Sequence, residues 1–124
     1  MKSIPPFAFL LALLLTGCGG STDDSAGVAT PQQAASQIDE AFTTAEPEIQ
    51  KNIHVASEAL REGKFEQAVV ALQVTRNATN LTLDQGMAVH NSMIALEQHL
   101  INAAANGDPN AQRAYDLLKK SKRN

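Results

Sequence analysis

Tryptophan is missing from this chain, tyrosine and cysteine occur once each, and phenylalanine four times. A lone cysteine, Cys18, excludes an internal disulfide framework and a thiolate metal cluster. Two of the phenylalanines, Phe7 and Phe9, fall near the start, so the rest of the chain has only Phe42, Phe65 and Tyr115. A core must therefore be built from Leu, Ile, Val, Met and abundant Ala, which suits closely packed helices better than a sheet. Valine and isoleucine are few and seldom alternate with polar residues, so strands are not expected. Cationic excess is also lacking. Ten Lys and Arg stand against 13 Asp and Glu, a formal charge of −3, which offers no electrostatic footprint for nucleic acid.

The 124 residues suffice for one domain with a modest core. The first 18 read MKSIPPFAFLLALLLTGC. Lys2 gives a positive start, Phe7 to Leu15 is an apolar run, and Thr16 and Gly17 are small. A charged end, an apolar middle and a small-residue cut site make a secretory signal. The run falls well short of the roughly 20 residues that span a bilayer as a helix, and Pro5 and Pro6 oppose a long helix.

Leu15-Thr16-Gly17-Cys18 resembles a lipobox, the cleavage motif of bacterial lipoproteins. The resemblance implies cleavage between Gly17 and Cys18, a diacylglycerol on the Cys18 thiol, and usually an acyl group on the new amino terminus. A single fatty chain anchors only marginally, at about 0.8 kcal/mol per buried methylene, whereas two or more hold firmly. The position after the cysteine helps sort lipoproteins in bacteria with two membranes, and Gly19 favours the outer one. Residues 1–17 are then a signal peptide, and 18–33 a lipidated cysteine with a flexible linker. A helical domain fills 34–120 and a basic tail 121–124. The linker, GGSTDDSAGVATPQQ, has small and polar residues without apolar period; such a segment extends about 20 Å root-mean-square.

An all-α domain of four or five helices, a small antiparallel bundle, is expected beyond the linker. The first spans about Gln32 to Thr44, with Ala35, Ile38 and Phe42 on one face. The second begins near Pro47, carries Ile49, Ile53, Ala56 and Leu60 in one stripe, and stops at Gly63. The third spans Phe65 to Arg76, with Phe65, Ala68, Val69 and Leu72 inward. Thr82 caps the fourth, with Gln85 as capping-box partner. It reaches about Asn106 with a stripe of Val89, Met93, Leu96 and Leu100, which Met87, Ile94 and Ile101 are expected to widen against neighbouring helices. Asp108 and Pro109 start a fifth, with Ala111, Ala114, Tyr115 and Leu118 inward.

Within about 47–76, Ala56, Gly63, Phe65, Ala68 and Leu72 resemble a hairpin of the tetratricopeptide-repeat family, most clearly in REGKFEQAVVAL at 61–72. In that family small residues let two helices approach closely and an aromatic fills the space under the turn. The resemblance implies a protein-interaction module. This chain departs from the pattern at Asn52, Ala59 and Asn80. The fourth helix is too long for a second unit in register, although arrays need about three units for stability.

Several residues invite a chemical reading. His54, Ser57 and Glu58 lie within one turn, but a catalytic triad needs a buried carboxylate to orient the histidine and an oxyanion hole; a solvated face accounts for all three. His90 and His99, nine residues apart at about 100° each, point to opposite sides of a helix and cannot share a metal. Asn77-Ala78-Thr79 and Asn80-Leu81-Thr82 fit a glycosylation sequon, and turn chemistry explains them better. His90 reads as a boundary residue and His99 as exposed. Lys119, Lys120, Lys122 and Arg123 favour a helix C-terminus followed by a frayed end. No catalytic, metal or cofactor residues are assigned, apart from the lipid on Cys18. Lys51, His54, Glu58 and Arg61 are the expected partner-binding face.

The function expected is non-enzymatic: a lipid-anchored helical module that contacts another protein of the cell envelope, with neither nucleic acid nor metal as a ligand. One alternative is a structural link to the cell wall or anionic lipid through the basic tail. A second is a cryptic enzyme or small-ligand carrier, which would need a deep pocket.

Overall fold

A computed structural model describes residues 27–124. The leader, the cleavage position at Gly17 and Cys18, and most of the linker lie outside the described residues. The rest is all-α, in five helices: α1 (Pro31–Ala41), α2 (Pro47–Glu62), α3 (Phe65–Arg76), α4 (Leu83–Ala105) and α5 (Pro109–Lys122).

Three of the five starts are capped by a side chain. Thr30 caps α1 with a full capping box: its Oγ1 accepts from the Gln33 N–H at 3.2 Å, and Gln33 Oε1 accepts from the Thr30 N–H at 2.9 Å. Pro31 takes the first helical position and is buried. The fold therefore begins about three residues before the expected end of the linker at Gln33, because Thr-Pro-Gln-Gln is a helix start as well as a polar stretch. α1 also stops earlier than Thr44; Phe42 caps it and turns inward, 2% exposed. Thr82 and Gln85 repeat the capping box at α4. Asp108 caps α5 by accepting from the N–H groups of Asn110 and Ala111 at 2.9 and 3.3 Å.

Between α2 and α3, Gly63 sits at φ 72°, a conformation that costs a side-chain-bearing residue roughly 1–2 kcal/mol. There the Lys64 N–H reaches back to the Ala59 carbonyl at 2.9 Å, and the chain reverses within two residues. α5 continues through Lys122, so two residues placed in the frayed tail, Ser121 and Lys122, are helical.

α1 packs on α2, α2 on α3, α3 on α4, and α4 back on α1, which closes a ring of four helices. α5 lies against α3 and α4. The enclosed core contains Ile38, Phe42, Leu60, Leu72, Leu96, Leu100 and Leu118, and alanine supplies nearly half of its apolar positions. Small side chains bring helix axes close, so a chain with few aromatics can still fill its interior.

Expectations about side-chain placement change on α4 and on α2. Met87, Ile94 and Ile101 do not widen the buried stripe of α4; they are exposed on the side facing away from the bundle. α1, α3 and α5 all pack against α4, and its buried positions lie on the opposite side. Ser57 is buried rather than solvated, its Oγ–H donating to the His54 carbonyl at 3.2 Å.

Removing the Thr82 hydroxyl deprives α4 of its cap. Thr82→Ala is expected to lower unfolding free energy by about 1 kcal/mol while helical circular dichroism is unchanged, as measured by urea titration.

Candidate functional site

The expected partner-binding residues recur on one side of α2, at the positions of Lys51, His54, Glu58 and Arg61, and all four are exposed. The structure adds the neighbouring edge of α1. Arg61 Nη2 meets Asp39 Oδ2 at 2.7 Å, across 22 residues of sequence. At the other end Gln50 Nε2 donates to the carbonyls of Thr43 and Phe42 at 2.8 and 3.3 Å. These contacts fasten α2 to the end of α1 and leave a hollow of about 340 Å³ between them.

Asp39, Thr43, Gln50 and His54 supply the polar lining of this hollow, and Phe42 and Ile53 its apolar lining. Asp39 Oδ1 is buried without a hydrogen-bond partner, while Oδ2 is engaged by Arg61. The hollow is shallow and mixed in character, which fits an inserted side chain better than an enclosed small molecule. Of the four expected residues, His54 lines the hollow and Arg61 braces it. Lys51 and Glu58 extend the same face without lining it. No sequence signal marks Asp39, Thr43 and Gln50, because their roles depend on contacts between two helices.

Glu58, Glu62 and Lys64 gather where α2 turns into α3. The Lys64 ammonium is held above its ordinary range, chiefly by its hydrogen bond to the Glu62 carboxylate and by that charge, with Glu58 adding to it. Lys64 is fully exposed, so this pair contributes little to stability.

The triad geometry does not form: with Ser57 turned inward, His54 and Glu58 stand alone on the outer face. His90 is exposed on the outer side of α4 rather than at its boundary. His99, expected in solvent, is half-buried with its ring 4.8 Å from that of Phe65 and tilted by 54°. Among the described residues no group of three or more His, Cys, Asp or Glu is placed to hold a metal ion. No described helix is long and apolar enough to cross a membrane. Much of the basic tail is engaged within the fold. Lys122 reaches Glu97 at 2.6 Å, and Lys119 reaches Asp116 at 3.2 Å while lying 4.7 Å over the Tyr115 ring. Lys120 and Arg123 are exposed.

Gln50→Ala is expected to cost about 1 kcal/mol, because it removes both bonds that fasten α2 to the α1 turn. Breaking the half-exposed Asp39–Arg61 pair should cost less: a double-mutant cycle on Asp39→Asn and Arg61→Met should give a coupling of about 0.5 kcal/mol by urea unfolding. Compared with protein families, curated proteins and solved structures, the chain finds no match in any of the three.

Proposed function

We propose that the chain is a bacterial lipoprotein, anchored through acyl groups on Cys18, whose helical domain acts by contacting another protein of the cell envelope rather than by catalysis. The observation that carries the reading is Leu15-Thr16-Gly17-Cys18 placed directly after the apolar run Phe7 to Leu15. The fold supports it by beginning at Thr30, which leaves a polar stretch of chain between Cys18 and the first helix. Those residues are small and polar, the composition of a spacer between an anchor and a domain. Gly19 favours the outer membrane where the envelope has two.

The contact face in this reading is the outer side of α2, where Lys51, His54 and Glu58 project beside the hollow lined by Asp39 and Phe42. It mixes charge of both signs with an apolar floor, the composition of a protein-contact rim and pocket. The resemblance of 47–76 to a tetratricopeptide-repeat hairpin points the same way. The alternative role of the basic tail is less favoured, since Lys119 and Lys122 already have partners within the domain.

Mass spectrometry of the protein purified from its native envelope tests the anchor. The expected species begins at Cys18 and carries a diacylglycerol; an unmodified thiol, or an intact Met1, would overturn it. Cys18→Ala should release the protein from the membrane fraction. Crosslinking in the intact envelope tests the contact face. A specific protein adduct from a photo-reactive group at Lys51 should be lost in His54→Ala/Glu58→Ala, and an adduct unaffected by those changes would move the contact elsewhere.

A further inference from the structure

Two opposite sides of α4 are apolar, and the bundle uses only one. Val89, Leu96 and Leu100 are fully buried. At about 100° per residue, Leu83, Met87, Ile94 and Ile101 fall within an arc of about 40°, centred about 135° around the helix from Val89. They are 80%, 54%, 42% and 40% exposed. The spacing between Met87, Ile94 and Ile101 is one heptad each, the repeat that keeps a seam aligned with a second helix. A helix that is apolar all round is normally enclosed all round.

We infer that this outward face of α4 is the contact surface between two copies of the chain, packed antiparallel about a two-fold axis through Ile94.

The assignment of a second copy rests on the order of residues along the stripe, which is complementary to its own reverse. With the axis at Ile94, Ile94 meets its own counterpart and Met87 meets the second copy's Ile101. Leu83, the most exposed, meets Ala105, a small residue. Along one flank His90 then stands across from Glu97 of the second copy, an N–H donor facing a carboxylate, and symmetry provides the pair twice. Along the other flank Asn91 faces Gln98, two amides that can exchange hydrogen bonds, again twice. In a parallel pair the two-fold axis would turn the flank of His90 and Glu97 toward that of Asn91 and Gln98, so only the antiparallel arrangement brings His90 to Glu97.

The surroundings fit as well. Beside Leu83 and Met87 lies a hollow of about 440 Å³ that Leu81 and Gly86 also line, at the level where the second copy's Ile101 would insert. Gly27, Val28 and Ala29 border the stripe next to Asn91 and Ile94. Both chains would therefore run into the pair close to its axis. Lys122 covers Glu97 from the α5 side and leaves the ridge itself open.

A bilayer surface is the less suited occupant. α4 itself has no Lys or Arg; of the cations beside the ridge, Lys122 is paired with Glu97, which leaves Arg76 next to Leu83 and Met87 against the carboxylate of Asp84. Helices that lie on anionic lipid carry cations on their polar face. Four apolar side chains per copy, 40% to 80% exposed, imply a dimer of modest affinity in dilute solution, strengthened wherever copies are confined together. The inference does not depend on the reading of Cys18.

Site-directed disulfide formation tests it, in the full chain carrying Cys18→Ser so that no other thiol is present. Ile94→Cys should link to itself on mild oxidation, because the axis brings the two Cβ atoms together. Met87→Cys alone should stay unlinked, and a mixture of Met87→Cys and Ile101→Cys chains should link to each other. Association driven by the leader would not produce that positional pattern. In the same chain Ile94→Asp should weaken dimerisation at least about tenfold by sedimentation, with the helical signal unchanged. The inference is overturned if Met87→Cys self-links as readily as Ile94→Cys, or if no position links while the chain sediments as a monomer at every concentration. It is equally overturned if the chain binds anionic vesicles, loses that binding in Ile94→Asp and shows no Ile94→Cys disulfide, since the stripe would then face lipid.

Discussion

The contact that closes α4 onto α1 is the constraint on which the rest of this structure depends. The other three contacts of the ring join helices that follow one another in sequence, through turns at Phe42–Glu46, Gly63–Lys64 and Asn77–Thr82. Those turns alone would give a run of loosely coupled hairpins. α1 and α4 meet across the whole length of α2 and α3, and only that meeting encloses Ile38, Leu60, Leu72 and Leu96 in one core. Alanine at so many of the buried positions makes close approach possible, and close approach is what compensates for the shortage of aromatic side chains.

Once the ring is closed, position on it decides role. α2 lies in the ring between α1 and α3, and its free side carries the charged face of Lys51, His54 and Glu58. The Asp39–Arg61 and Gln50 contacts tie that face to α1 and open the hollow beside His54. α4 touches three helices on one side and presents an apolar ridge on the other. The proposed anchor at Cys18 and the inferred pairing through Ile94 would act together. Two chains entering the pair near its axis could share one membrane surface, with both α2 faces turned outward to other proteins.

Helix boundaries were legible where a cap and a period coincide. Gly63, the Thr82–Gln85 box and Asp108–Pro109 each mark a local backbone event that needs no knowledge of neighbours. The same kind of box at Thr30–Gln33 is hidden in the sequence, because the residues before it are small and polar. What sequence could not supply is which side of a helix is covered. Along α4 the period shows apolar residues all round, and reading Met87, Ile94 and Ile101 as core assumed a neighbour that the single chain does not provide. The burial of Ser57 and His99 is hidden from sequence for a related reason. A buried hydroxyl can satisfy itself on its own helix, as Ser57 does on the His54 carbonyl, and an imidazole can shelter against a ring contributed by another helix, as His99 does on Phe65. Within the candidate site, His54 and Arg61 stood out as residues of one exposed face, while Asp39 and Gln50 acquire their roles only from long-range packing.

Equilibrium urea unfolding of two variants, Leu96→Ser and Ile101→Ser, compares the two sides of α4 most directly, at a dilution where the chain is monomeric. Leu96 is fully enclosed, so its replacement by a small polar residue should cost at least about 3 kcal/mol. Ile101 faces away from the bundle and is 40% exposed, so the same change should cost no more than about 1.5 kcal/mol. Equal losses from both would mean that the outer side is packed within a single chain, which would contradict the two-sided account of α4.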